Sequence, residues 1–231
     1  MERRLISEGD SILIAASGGK DSTVMAWALS GLKQALKIDY KLHALHISSD
    51  FCYCCKKSIL AGRLEEWGIP FTDLSVPIIG RLKEGRKMNC YWCSTQRRTE
   101  LIKYAMKNGF NKIALGHHLD DIIETFFMNM TAKGQLLAMP MYLSYRKYPI
   151  SLIRPIGYLE EKQIIACASE QDLLSSACTC PYGVNSGRRS MRDRIGAFTG
   201  NSGAVKRRIL AALSSGPADL LVDNGAKSET H

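Results

Sequence analysis

The sequence predicts an α/β fold: an open, mostly parallel sheet with helices on both faces. Three observations carry this expectation. Short apolar runs alternate with helix-length amphipathic stretches through most of the chain, the mark of successive strand–helix–strand units. A glycine-rich turn and a Gly-His-His-Leu-Asp-Asp turn each follow an apolar run and precede a helical one, where open parallel sheets carry their binding residues. The chain has 231 residues, 45% of them hydrophobic, enough to fill one large domain or two small ones.

Ser11 to Ala16 (SILIAA) is expected as the first strand, Ser17-Gly18-Gly19-Lys20-Asp21-Ser22 as a tight loop, and Thr23 to Leu36 as the first helix. Leu42 to Ser48 has strand character, Lys56 to Trp67 is helical, and Pro70 to Val76 is again a strand. A polar, basic loop over Ile79 to Asn89 leads into Cys90-Tyr91-Trp92-Cys93 and a helix from Ser94 to Asn108 that Gly109 ends. Lys112 to Gly116 is the next strand, followed by His117-His118-Leu119-Asp120-Asp121 at the start of a helix running through Ile122, Ile123, Phe126 and Phe127. Between Thr131 and Pro155 the three prolines weaken the pattern, so an irregular crossover and a last strand over Ile150 to Arg154 are expected. Glu160 to Leu173 reads as a helix, Cys178 to Gly183 as a turn, and Ser186 to Phe198 and Gly203 to Leu213 as two closing helices. Residues 1–215 are expected to form a single domain with its C-terminal helices, and 216–231 a flexible tail.

Composition narrows the function classes. No apolar run approaches the roughly 18–20 residues that cross a bilayer, and Met-Glu-Arg-Arg opens no signal peptide. A cytoplasmic protein with no membrane partner is expected. Thirty-one Lys and Arg against 22 Asp and Glu leave +9, a balance that suits a polyanionic partner. Eight cysteines without an export signal read as thiols, metal ligands or catalytic groups rather than a disulfide framework.

The strand–SGGKDS–helix unit aims several backbone N–H groups and a helix N-terminus at one point, where an anion can sit. Gly18 and Gly19 allow close approach, Ser17 and Ser22 offer hydroxyls, Lys20 neutralises phosphate, and Asp21 can cap the helix or hold Mg²⁺. It is not the Walker pattern, which needs four residues between its glycine and its Gly-Lys pair. Asp120 and Asp121 suit a helix start by charge alone. His117 and His118 lack a third zinc ligand at helical spacing. Cys90-x-x-Cys93 converges two sulfurs on one centre, and the spacing alone leaves metal and redox roles open.

The hexapeptide resembles the pyrophosphate loop of the ATP-pyrophosphatase (PP-loop) superfamily, with its adenine nucleotide alpha hydrolase-like fold. That resemblance implies ATP, Mg²⁺ and adenylation, with adenine near His46 and Ile47 and with Gly116, Asp120 and Asp121 facing nucleotide and magnesium. In one order along residues 8 to 200 stand SGGKDS, Cys90-x-x-Cys93, KIALGHHLDD, Gln135 to Pro140, Arg154-Pro155 and Glu161-Lys162. So arranged, the chain is similar to the tRNA 2-thiocytidine synthetase family and the related 2-thiouridine synthetases. The resemblance implies a [4Fe-4S] cluster held by three cysteines, here Cys90, Cys93 and Cys180, the last within Cys180-Pro181-Tyr182. It implies catalytic roles for Asp121, Asp120, Lys20 and Arg97, the last filling the basic slot four residues beyond Cys93. The implied partners are tRNA and a sulfur donor, either inorganic sulfide or a cysteine desulfurase, with a homodimer left open. Cys-pair zinc fingers at the chain ends, carried by the 2-thiouridine relatives, are missing, which favours the cytidine branch. A cluster-free persulfide relay and a zinc-bearing RNA-binding module are the competing readings.

The basic excess is grouped. Residues 81–103 hold seven basic and two acidic side chains, and residues 188–208 hold seven and one. Arg86, Lys87, Arg97 and Arg98, with Arg188, Arg189, Arg192 and Arg194, are expected to take a phosphate backbone. Tyr91, Trp92 and Tyr182 are candidates to stack an extruded base.

Overall fold

The computed structural model describes residues 5–51, 57–173 and 187–215. Cys52, Cys54, Cys55, Cys178, Cys180, Tyr182 and the tail expected at 216–231 lie outside them. The elements in chain order are β1 (Ser11–Ala15), α1 (Lys20–Leu36), β2 (Lys41–Ser49), α2 (Lys57–Glu66), β3 (Phe71–Val76), α3 (Cys90–Lys107), β4 (Lys112–Ala114), α4 (Leu119–Lys133), β5 (Tyr142–Ser144), β6 (Ser151–Ile153), α5 (Glu161–Glu170), α6 (Gly187–Thr199) and α7 (Gly203–Ser215).

The strands form one sheet in the order β3-β2-β1-β4-β6-β5, parallel except for β5. Alternation along β1 divides the core. Ile12 and Ile14 pack with Val24, Met25 and Leu29 of α1, whereas Leu13 faces the other side and packs with Leu101, Ile102 and Ala105 of α3. Period-2 side chains on a doubly covered sheet require this arrangement. Each such fully buried Ile or Leu contributes on the order of 1.5–3 kcal/mol. A third cluster joins Leu119, Ile122 and Ile123 of α4 to Ile195 of α6 and to Leu210 and Leu213 of α7.

From β1 the chain winds outward through β2 and β3, then returns to place β4 on the other side of β1. The direction reverses between β1 and β4, so the crevice at their carboxyl ends is the natural ligand position. Both SGGKDS and the His117–Asp121 turn lie there.

Three details depart from the expected elements. The helix expected from Ser94 begins at Cys90, because Asn89 is its N-cap and its side-chain oxygen accepts the Trp92 N–H at 2.9 Å. The helix expected from Thr23 begins at Lys20, because Gly19 takes extended backbone and Gly18 a positive φ of 79° that permits the reversal. The crossover expected to be irregular contains β5, which runs antiparallel to β6 and is tied to it by Tyr142 Oη and Ser151 Oγ at 2.6 Å.

Candidate functional site

The glycine loop is a closed hydrogen-bonded turn. Ser17 Oγ accepts the Gly19 N–H at 3.3 Å and lies 3.0 Å from Ser22 Oγ, which itself donates to the Gly19 carbonyl at 3.0 Å. The two serine hydroxyls therefore shape the loop. Asp21 makes no cap bond at Gly19. It lies in the first turn of α1, 3.0 Å from Lys20 Nζ. Gly116, just past β4, approaches the same turn so closely that an added Cβ would sit 3.1 Å from Ser22 N and 3.2 Å from the Asp21 carbonyl carbon. A side chain there would force β4 away from the loop.

The start of α4 adds a charged network. Buried His118 precedes the helix, and its Nε2 lies 3.4 Å from Asp121 Oδ2 and 4.0 Å from Asp21 Oδ1. The Asp121 carboxylate accepts the His118 N–H at 3.2 Å. Asp120 accepts the Glu161 N–H at 2.7 Å on one oxygen and meets Lys206 Nζ at 2.5 Å on the other. Glu161 in turn holds Lys20 at 2.9 Å and Arg192 at 3.0 Å. Burial raises the carboxyls of Asp120 and Glu161, but these cationic and N–H partners outweigh it and leave both below the usual carboxylate range. Burial likewise lowers Lys20, and Glu161 and Asp21 together reverse the sign, leaving it above the usual lysine range.

Glu124, 2% exposed in the apolar stripe of α4, meets Arg192 Nε at 2.6 Å. A cavity of about 300 Å³ between α4, α5, α6 and α7 is lined by Asp120, Glu124, Glu161, Arg192 and Lys206. Lys206 and Glu124 were missed by the sequence reasoning. An acid among Leu119, Ile122 and Ile123 was a local signal for Glu124, whereas Lys206 gave none.

Cys90 and Cys93 occupy the first turn of α3, and neither is in a disulfide. Three-residue spacing puts both on one helical face. Two contacts hold the turn at the carboxyl edge of the sheet. Trp92 Nε1 donates to the carbonyl of Ile78, two residues beyond β3, at 3.1 Å. Asp50, directly after β2, accepts the N–H groups of Ile79 and Gly80 at 3.0 Å each. Trp92 is half-buried with its indole N–H committed to the scaffold, while Tyr91 beside it is 70% exposed. Arg97, one turn beyond Cys93, has a buried Nε with no hydrogen-bond partner among the described residues.

His46 and Ile47 point to opposite faces, as neighbours on a strand must. His46 Nδ1 lies 2.7 Å from the Ala16 carbonyl at the mouth of the loop, whereas Ile47 packs in the core beside Leu45 and Val76. Cys167 packs against the core as a helix-face residue, its thiol pushed up by burial and by Glu170. The structure brings together the loop, Gly116, His46, Asp120 and Asp121, and places Cys90, Cys93 and Arg97 at the same end of the sheet. Arg192, expected on RNA phosphate, is instead tied to Glu124 and Glu161. No helix among the described residues is long and apolar enough to cross a membrane.

Comparison with known proteins bears on this arrangement. The PP-loop domain family matches residues 2–175. The tRNA-cytidine(32) 2-sulfurtransferases of Geobacter metallireducens and Geobacter sulfurreducens are 33% and 34% identical to the chain, across 91% and 95% of it and 84% and 87% of their own lengths. Among solved structures, the U34-tRNA thiolase NcsA of Methanococcus maripaludis, with its [4Fe-4S] cluster, superposes with a TM-score of 0.77 at 23% identity, covering 92% of this chain and 73% of that one. The NMN synthetase of Francisella tularensis gives a TM-score of 0.52 at 16% identity, covering 87% of this chain and 82% of its own. Those two likenesses are of fold. Identity of one residue in three, held across nearly the whole of both sequences, is a likeness of family: the chain belongs to the PP-loop domain family and, within it, to the family of the tRNA-cytidine(32) 2-sulfurtransferases.

Proposed function

We propose that the chain is an ATP-dependent tRNA sulfurtransferase that converts a cytidine to 2-thiocytidine. One observation carries the reading: a glycine loop at a helix N-terminus and a pair of thiols share one end of one sheet, in a chain a third identical to proteins named for that reaction. In this reading the loop N–H groups, the N-terminus of α1 and Lys20 receive the phosphates of ATP, Gly18 and Gly19 leave room for them, and Gly116 lets the end of β4 close against the loop. His46 flanks the adenine, with the backbone of Ile47 beside it, and Asp121 and Asp21 face Mg²⁺. The cytosine O2 attacks the α-phosphorus and pyrophosphate leaves; sulfur then adds at C2, and the oxygen departs with AMP.

Cys90 and Cys93, on one face of one turn, suit a soft metal centre, and Cys180, outside the described residues, is the proposed third ligand. A [4Fe-4S] cluster held by these three thiolates would supply an iron with a position open to sulfide. Arg97 stabilises the negative charge that develops beside it. Arg86, Lys87, Arg98, Arg188, Arg189 and Arg194 take tRNA phosphates, and Tyr91 is the base-stacking candidate. The sulfur comes from inorganic sulfide or a cysteine desulfurase.

The test uses the anaerobically purified protein with unmodified tRNA, ATP, Mg²⁺ and sulfide. Nucleoside mass spectrometry is expected to show 2-thiocytidine formed with AMP in equal amounts. Cys90→Ser is expected to abolish product while ATP still binds. A colourless, iron-free protein of full activity would overturn the cluster, and stoichiometric zinc without AMP formation would overturn the enzyme.

A further inference from the structure

Helices α6 and α7 lie beyond the residues matched by the PP-loop domain family, yet three of their basic side chains end on acids of α4 and of the start of α5. Lys206 meets Asp120, Arg207 meets Glu160 at 2.8 Å, and Arg192 meets both Glu124 and Glu161. Contact is close as well as charged. Gly203, the first residue of α7, sits so near the Glu160 carboxylate that a Cβ there would overlap it.

Asp120 stands at the centre of this contact. The side chains of Lys206 and Asp120 are only 13% and 12% exposed. One Asp120 oxygen takes the ammonium and the other takes the Glu161 N–H. Glu161 is the first residue of α5, so that N–H is one of the donors a helix leaves without an internal partner. The same residue's carboxylate holds Lys20 of the phosphate loop. A continuous path therefore runs from Lys206 through Asp120 and Glu161 to Lys20. A divalent cation at Asp120 would have to displace the ammonium and leave Lys206 buried without its counter-ion, a costly exchange.

We propose that Asp120 is a positioning residue rather than a magnesium ligand: paired with Lys206 it docks α7 onto the binding end of the sheet and, through Glu161, sets Lys20 for the triphosphate. This deepens the ATP-dependent reading above and rests on it for the role of Lys20. Magnesium then falls to Asp121 and its neighbours, and the consecutive aspartates divide their work between packing and chemistry.

A double-substitution cycle separates the two roles. Asp120→Asn keeps an oxygen for the Glu161 N–H but strands Lys206; Lys206→Met strands the carboxylate; the double variant removes both charges together. ATP binding by calorimetry at several Mg²⁺ concentrations, thermal unfolding, and the KM for ATP against kcat are measured on each. Each single variant is expected to lose on the order of 5–10 °C of melting temperature and to raise the KM for ATP about tenfold with a smaller change in kcat. The double variant, and Lys206→Arg, recover most of both, and Asp120→Asn keeps the wild-type Mg²⁺ dependence. A double variant as defective in Mg²⁺-dependent ATP binding as Asp120→Asn, with Lys206→Met near wild type, is the pattern of a metal ligand and overturns the proposal. Wild-type melting curves for all variants overturn it too. If the wild-type protein binds no ATP, the functional reading falls, and recovery of the melting temperature in the double variant still decides the pair.

Discussion

Residues 81–103 and 188–208 carry almost the same excess positive charge, +5 and +6, and the fold uses it in opposite ways. In the first segment Arg81 and Lys103 share Glu100, an acid of the same segment, at 2.8 and 3.2 Å. Arg86 and Lys87 are exposed and make no ion pair among the described residues. In the second, Arg192, Lys206 and Arg207 reach acids contributed by α4 and α5. A run of basic residues thus projects a field only where its counter-ions are not brought in from elsewhere by the fold. The segment beside Cys90 leaves Arg86 and Lys87 exposed, while three C-terminal cations, Arg192, Lys206 and Arg207, attach two helices to the site.

The strongest way to break this contrast is acid, which acts on all the docking carboxylates together. Glu160 joins Asp120 and Glu161 below the usual carboxylate range: burial raises it, and Lys162 and Arg207 more than compensate. For carboxyls depressed in the folded state, the unfolded chain binds protons first. Their stabilisation is complete above the unfolded values near 4 and is lost as pH falls through the folded ones. The urea midpoint is therefore expected to hold from pH 7 to about 5 and then to drop towards pH 3. The drop should be shallower in the Asp120→Asn/Lys206→Met variant. A midpoint that stays level to pH 3 would show that the pairs do not dock the helices.

A single substitution at neutral pH comes next in size. Arg192→Met removes the guanidinium from Glu124, which is 2% exposed, and from Glu161. Stranding a fully buried partner costs about 3–5 kcal/mol; Arg192 is itself 49% exposed, and solvent screening reduces the expected loss to about 2 kcal/mol in urea unfolding. Adding Glu124→Gln should restore most of it. If Arg192→Met weakens tRNA binding with no loss of stability, its place is on the RNA after all.

What could be read from the sequence follows the range of the interactions. The glycine loop, the Gly116 turn and the paired aspartates are each settled within a few residues of one another, by backbone demands that leave few alternatives, so their places in the crevice were legible. The sheet and its helices were legible from apolar periodicity, with the loss of β5, whose three residues are held by pairing to β6 and have no pattern of their own. The start of α3 was misplaced because a cap is one side-chain bond, from Trp92 N–H to Asn89, that ordinary loop composition conceals. The anchoring of Trp92 had no local signal, because its indole partner, the Ile78 carbonyl, lies fourteen positions away. Lys206 on Asp120 spans 86 positions, and no local pattern announces such a pair. The division of labour between neighbouring aspartates was invisible for the same reason.

The smallest effect on stability, and the sharpest reading of the contrast, is expected at Arg86 and Lys87. Both side chains stand in solvent on the loop leading to Cys90, so Arg86→Ala and Lys87→Ala should each leave the urea midpoint within about 0.5 kcal/mol of wild type. Their effect should appear in the salt dependence of tRNA binding instead. Each phosphate contact removed lowers the slope of log K against log salt by roughly 0.7–0.9, so the double variant should lose about 1.5 from that slope. The same measurement on Lys206→Met should leave the slope unchanged, because Lys206 is held by Asp120 and faces no solvent phosphate. Equal slopes for the wild type and the Arg86→Ala/Lys87→Ala variant would mean that RNA approaches by another face, and the exposed charge beside Cys90 would then need a different anion to explain it.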